Sequence, residues 1–320
     1  MINLLSEDEF LERTANVPLQ RVPWDLAKQK GVDVFIRRDD LIDTHLSGNK
    51  FYKLFYNLHA AKDSGYQQLL SFGGAHSNHI YALAMAAKFS GFKCIGVIRG
   101  ERSRQLSATL LDAESAGMKL HFVSRTDYRE KNSQELRGSL NRLYGDFFEI
   151  PEGGANNYGV IGTTALGTAI SQQVKGDYTS ICIAAGTAST LAGVASGVAM
   201  GDQNLNTDDK KVIGFSVLKG DGDLGSDLIN HQHAINSETN NWRLISGYHC
   251  GGYAKKLPNY LRQFMSEFEA TANLQLDPVY TVKMCWGVAQ LLVQNYWPRG
   301  SKIILIHTGG LQGRRGFGLF

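Results

Sequence analysis

Short β-rich runs alternate with longer amphipathic stretches along this sequence, and that alternation predicts an α/β fold with a parallel sheet. Two further observations agree. At 320 residues the chain is long enough for two domains, and its 43% hydrophobic and 20% charged residues can bury a substantial core. Its 35 glycines against 6 prolines exceed the usual glycine share of about 7%, which asks for many turns and close backbone approaches. A disordered chain or a small stapled scaffold is excluded.

The alternation begins with a strand at Val32–Arg37 and a helix at Phe51–Ser64. It continues with strand Gln68–Phe72 and helix Asn78–Ser90, then strand Lys93–Ile98 and helix Gln105–Ala116. Next come strand Lys119–Val123, a helical Asp127–Tyr144, strand Phe147–Ile150 and a long segment from Tyr158 to Val174. A second set follows: strand Tyr178–Ala184, helix Ser189–Met200, strand Lys211–Val217 and strand Ser301–His307. The polar stretch Asp202–Lys210 reads as a surface loop, because strands flank it closely.

Charge and cysteine content narrow the function. The net charge of +3 comes from 33 basic and 30 acidic residues spread along the chain, without the basic stripe of a nucleic-acid binder, so a small-molecule partner is expected. Glu7, Asp8, Glu9 and Glu12 are the opposite of a secretory leader, and no apolar run approaches the roughly 18 residues of a membrane span. A cytoplasmic protein that binds no membrane is expected. Cys94, Cys182, Cys250 and Cys285 are too scattered for a zinc cage or a disulfide framework and read as buried thiols.

In open α/β sheets ligands sit beyond the carboxyl ends of strands, so the loops leaving the strands carry the functional signal. Ser47-Gly48-Asn49-Lys50 places a lysine near a helix start, where the dipole disfavours an ammonium; the alternative is a solvated lysine. Gly73-Gly74-Ala75-His76-Ser77-Asn78-His79 offers amides and short polar side chains to a carboxylate, though Ser77 equally serves as an N-cap. Gly186-Thr187-Ala188-Ser189-Thr190 suits a phosphate, lacks both the P-loop and the dinucleotide fingerprint, and also reads as a Gly-containing turn capped by Ser or Thr. Near the C-terminus, Asp277–Thr281 holds Tyr280, a core or site residue, and Thr308 leaves a predicted strand. An imine lysine, a phosphate cradle and carboxylate-binding amides together fit pyridoxal 5'-phosphate holding an amino acid.

The series Arg38-Asp39-Asp40-Leu41, Ser47–Leu54, Gly73–His79, Gly186–Thr190, Gly252-Tyr253, Asp277–Thr281 and His307–Gly310 covers nearly the whole chain in order. It resembles the D-cysteine desulfhydrase and 1-aminocyclopropane-1-carboxylate deaminase family, pyridoxal-phosphate enzymes of the tryptophan-synthase-β fold (fold type II). That resemblance implies two domains, each an open, mostly parallel twisted sheet flanked by helices. The smaller, residues 48–155, is inserted in a larger cofactor-binding domain made of 1–47 and 156–320. It implies that Lys50 carries the cofactor as a Schiff base and that Asn78 bonds its phenolic oxygen. Lys53 and the amides of Gly186, Thr187, Ala188, Ser189 and Thr190 would hold its phosphate. Ser77, Asn78 and His79 would meet the substrate carboxylate, Tyr253 and Tyr280 match the two active-site tyrosines, and a homodimer is implied.

Deaminases of this family have Glu after the second tyrosine and Leu at the position of Thr308, whereas this chain has Thr281 and Thr308, as in the desulfhydrase branch. A hydroxyl near the pyridine nitrogen makes a weaker electron sink than a carboxylate, and that suits expulsion of a good β-leaving group. The expected reaction is α,β-elimination from a small D-amino acid such as D-cysteine, giving pyruvate, ammonia and sulfide. The alternatives are a cyclopropane deaminase giving 2-oxobutyrate, a non-catalytic binding protein, and a racemase or another lyase on this fold. His76, Tyr52 and Val282 depart from the family pattern, which predicts a different substrate-facing wall.

Overall fold

The computed structural model describes residues 2–202, 211–219, 223–253 and 256–319. Along the chain run α1 (Glu7–Ala15), β1 (Leu19–Val22), α2 (Asp25–Lys30), β2 (Asp33–Arg37), α3 (Asn49–Asp63), β3 (Gln68–Gly73), α4 (Asn78–Ser90) and β4 (Lys93–Arg99). Then follow α5 (Ala108–Ser115), β5 (Lys119–Val123), α6 (Arg125–Arg129), α7 (Gln134–Tyr144), β6 (Phe148–Ile150), α8 (Asn157–Val174), β7 (Ser180–Ala185) and α9 (Ser189–Gly201). The last elements are β8 (Val212–Ser216), α10 (Leu224–His233), β9 (Trp242–Ile245), α11 (Asn259–Ala272), α12 (Thr281–Val293) and β10 (Lys302–Ile306).

The strands form two sheets. The larger has the order β1-β2-β10-β7-β8-β9, parallel throughout except for β1, which pairs antiparallel with β2. The smaller, β5-β4-β3-β6, is all parallel and lies in the chain between β2 and β7. Parallel strands are buried on both faces, and the two-residue period divides their side chains between two cores. In β10, Ile303 and Leu305 enter one core while Ile304 and Ile306 enter the other. In β3, Leu69 is separated in the same way from Leu70 and Phe72. Helix α3 joins the two layers, because Phe51, Tyr52 and Phe55 pack on the larger sheet's core and Leu54, Leu58 and Ala61 on the smaller sheet's core.

Several boundaries differ from the sequence reading. Asp127–Tyr144 is two helices, since Ser124 and Ser133 each accept an amide N–H of a following turn and start α6 and α7 separately. Helices α1, α2, α10, α11 and α12 and strands β1 and β9 were not in the predicted alternation. Residues 203–210 of the expected surface loop lie outside the described residues. Its first residue, Asp202, is buried and accepts the Tyr178 hydroxyl at 3.2 Å. Among the described residues no helix is long and apolar enough to cross a membrane. Cys94, Cys182 and Cys285 are buried thiols, and Cys250 is half-buried.

Candidate active site

Parallel strands of both sheets turn their carboxyl ends toward one cavity of about 640 Å³. Its walls come from Gly74–His79 after β3, Arg99 at the end of β4, Arg125 after β5, Gly186–Ala188 after β7, Lys219 beyond β8 and Thr308 after β10. Lys50 and Lys53, in the first turns of α3, reach the same space.

Gly48 starts α3 at φ +64°, and a Cβ on it would lie 2.0 Å from the Thr308 carbonyl oxygen. Only glycine lets this loop cross the end of β10, and the crossing sets Lys50 in the cleft. The Lys50 ammonium donates to Asn49 Oδ1 at 3.0 Å. Burial pulls its pKa down to about 8, against the opposing charge of Asp277. The lowering expected from the helix dipole is therefore produced by desolvation.

Lys53 is buried, and its Nζ donates to Ser189 Oγ at 2.7 Å, to the Gly153 carbonyl at 3.0 Å and to Thr187 Oγ1 at 3.5 Å. Burial, with Lys50 nearby, pushes its pKa well below the ordinary lysine value. Beside it Ala188 stands at the cap position before α9, takes φ +22° and leaves the helix without a side-chain cap. The capped-turn alternative for Gly186–Thr190 is thus not what the chain forms. A buried ammonium, two hydroxyls and an uncapped helix start are complementary to a phosphate.

Across the cavity Ser77 does cap α4, its Oγ accepting the Ile80 amide N–H at 3.3 Å. Asn78 donates to Asp277 Oδ2 at 3.4 Å and accepts from Gln312 Nε2 at 2.8 Å, so both ends of its amide are fixed. His79 also lines the cavity, but its imidazole is only 2% exposed and its Nε2 is bonded to Ser71 Oγ at 2.8 Å. Burial and the two lysines hold it well below the ordinary histidine pKa and keep it neutral. The Tyr253 and Tyr280 hydroxyls stand 3.0 Å apart, with the rings edge to face. Thr281 and Thr308 place their hydroxyls 3.4 Å apart. Thr308 faces the cavity, whereas Thr281 and Ser189 are fully buried behind it and act through the neighbours they touch.

Of the three departures from the family pattern, only His76 lies on the wall. Tyr52 is buried and donates to Asp39, which also accepts from the fully buried Arg37. Val282 is in the core beneath α12. The expectation that all three reshape the wall is corrected to His76 alone, because α3 and α12 turn the other two inward. Sequence reasoning missed Asp277 as a site residue, although an Asp-Pro turn was its signal. Its Oδ1 accepts the Val279 amide at 3.1 Å and the Tyr280 amide at 2.5 Å, while Oδ2 holds Asn78. Asn49 was given no role although it lies in the Ser47–Lys50 motif, and Gln312, Arg99, Arg125 and Glu152 were also missed and carry no local motif.

The residues therefore fit an anionic aldehyde cofactor: a lysine amine drawn toward neutrality, an anion cradle, and a fixed carboxamide with a hydroxyl pair. A family model described as "Pyridoxal-phosphate dependent enzyme" matches residues 11–309. The chain belongs to this family. This pyridoxal-phosphate enzyme is 30% identical to a Pyrococcus horikoshii protein named "Putative 1-aminocyclopropane-1-carboxylate deaminase", over 94% of this chain and 91% of that one. It is 28% identical to the Arabidopsis thaliana "Bifunctional D-cysteine desulfhydrase/1-aminocyclopropane-1-carboxylate deaminase, mitochondrial", over 93% and 78% of the two chains. The crystal structure of an "ACC deaminase homologue" superposes with a TM-score of 0.79 at 27% identity, covering 97% of each chain. The two sheets are those of the fold type II members of the family, and the reading as a non-catalytic binding protein gives way to that of an enzyme.

Proposed function

We propose that this pyridoxal-phosphate enzyme catalyses α,β-elimination from a small D-amino acid, with D-cysteine giving pyruvate, ammonia and sulfide. The observation that carries this reading is the buried Thr281–Thr308 hydroxyl pair, which stands where a deaminase of the cyclopropane has Glu and Leu.

When bound, the cofactor supplies an electron sink conjugated to the substrate's α-carbon. The protein's own residues do the rest. Lys50 is the covalent anchor and, once displaced by substrate, a base that takes the α-proton; its lowered pKa makes the neutral amine accessible near pH 8. Lys53, positioned by its bond to the Ser189 hydroxyl, and the amides of Gly186–Thr190 hold the phosphate. Asn78, clamped by Asp277 and Gln312, bonds the phenolic oxygen, and Ser77 with the amides of Asn78 and His79 receives the carboxylate. Burial and the adjacent Tyr253 keep the Tyr280 phenol well above its usual pKa, so it stays protonated and donates to the departing group. The smaller sheet with its helices, residues 48–155, forms the inserted domain of a homodimeric subunit.

The second reading, deamination of 1-aminocyclopropane-1-carboxylate, is supported by the names its relatives carry. Incubating the purified holoenzyme with each substrate tests the choice. Sulfide with pyruvate from D-cysteine is the expected outcome; 2-oxobutyrate from the cyclopropane with no turnover of D-cysteine would reverse it.

A further inference from the structure

Among the described lining residues, the only carboxylate in the cavity is Glu152, and Lys131 holds its Oε2 in an ion pair. The cations are more numerous than the reading above uses. Lys50 and Lys53 are assigned to the cofactor, and the α4 loop receives the substrate carboxylate. That leaves Lys219 beyond β8, and Arg99 and Arg125, the last two on the wall built by the smaller sheet. Neither arginine is in an ion pair with a carboxylate among the described residues, although eight other arginines are. Arg99 lies over the Tyr128 ring at 5.8 Å, and a Cβ placed on Gly74 would be 3.9 Å from its Nη2. The guanidinium thus stands beside the carboxylate loop, and its positive charge also acts on the Tyr253 hydroxyl. Arg125 lines the same cavity as Arg99, this loop and Tyr253.

We infer that Arg99 and Arg125 bind an oxyanion carried on the substrate's β-carbon, so that the favoured substrate is an amino acid with a β-phosphate or β-sulfonate. Guanidinium forks match such tetrahedral oxyanions bidentately, and cations aimed at a departing anion stabilise charge as it develops. This inference rests on the α,β-elimination reading and names the leaving group that the cleft favours. In the step itself the α-hydrogen leaves as a proton to the Lys50 amine, and its bonding electrons form the Cα=Cβ bond. The Cβ–O or Cβ–S bond breaks, and its electron pair departs with phosphate or sulfite. The released 2-aminoacrylate takes up one water to give pyruvate and ammonium.

The test compares O-phosphoserine, cysteate and β-chloroalanine, each as both enantiomers, by pyruvate formed. Calorimetric binding of 2-amino-3-phosphonopropionate, whose C–P bond does not eliminate, gives a readout independent of turnover. The expected kcat/KM for at least one oxyanion substrate exceeds that for β-chloroalanine by about 10-fold. Arg99→Gln and Arg125→Gln should each lower that ratio about 10-fold and weaken phosphonate binding to a similar degree, the loss of one charge-assisted contact. Pyruvate from β-chloroalanine with no preference for either oxyanion, or a ratio that the variants leave unmoved, overturns the inference and leaves the elimination reading standing. No pyruvate from any of these three substrates or from D-cysteine removes both.

Discussion

Lys50 is the residue on which the proposed chemistry converges, and its environment gives it a testable pH dependence. A pKa lowered from 10.5 to about 8 makes the neutral, nucleophilic fraction near pH 7 roughly 300-fold larger than for an ordinary lysine. The sign follows: below the folded pKa the amine is charged and unreactive, so the rate of cofactor capture by apoprotein should rise with pH through about 8 and then level. Stopped-flow absorbance at the imine band near ~420 nm reads this rate, and a flat profile between pH 6.5 and 9 would contradict the assignment. Lys50→Ala should lose that band and about 10³-fold or more of turnover. At the other side of the ring site, Thr281→Glu with Thr308→Leu is expected to shift kcat/KM from D-cysteine toward the cyclopropane. The expectation rests on contact, since the fully buried Thr281 reaches the site through Thr308. A double variant that folds yet keeps its preference would show that these threonines do not set the reaction.

The elements that hold the site are packed through missing side chains. Helix α8 crosses α3 at Gly162, where a Cβ would lie 1.9 Å from the Tyr52 carbonyl oxygen. It meets α9 at Gly197, where the corresponding distance, to the Thr164 carbonyl oxygen, is 2.0 Å. Backbone cannot yield as a flexible side chain can, so Gly162→Ala must separate the helices. It should cost about 1–3 kcal/mol in denaturant unfolding. Because the contact lies next to Lys53, the affinity for cofactor should fall as well. Gly138 provides the contrast. It sits within α7 with only the Arg142 guanidinium near its open side, at 3.6 Å, so Gly138→Ala should be neutral or stabilise by up to about 1 kcal/mol. Equal destabilisation by both substitutions would refute close helix approach as the cause.

At the scale of the whole molecule, the cavity is closed by loops from both sheets and by the shared helix α3. A cofactor bound there ties the two layers together and stabilises only the folded chain. Removing it should lower the melting temperature, and restoring it at about 100 times its Kd should return roughly 2.7 kcal/mol. Differential scanning calorimetry of the apo and reconstituted forms measures this. A melting temperature indifferent to the cofactor would place the binding site elsewhere.

The local pattern determined most of the scaffold. α4 and β5 occur at their predicted residues, because a Ser N-cap, a following glycine and the alternation of apolar residues are signals carried by neighbours in the chain. That the loops after β3, β7 and β10 meet at the cavity was legible for a related reason, since ligand clefts of α/β sheets form beyond the carboxyl ends of strands. What the sequence left open was decided by distance in space. Whether Tyr52 faced substrate or core depended on Arg37 and Asp39 from another strand end. The lowered pKa of Lys50 needed burial, not merely a helix start, and Asn78 is held by residues about 200 and 234 positions away. Helix propensity and turn chemistry act over a few residues and can be read in order along a chain. Desolvation, charge pairing and the meeting of two sheets at one cleft depend on through-space separation, which exists only once the chain has folded.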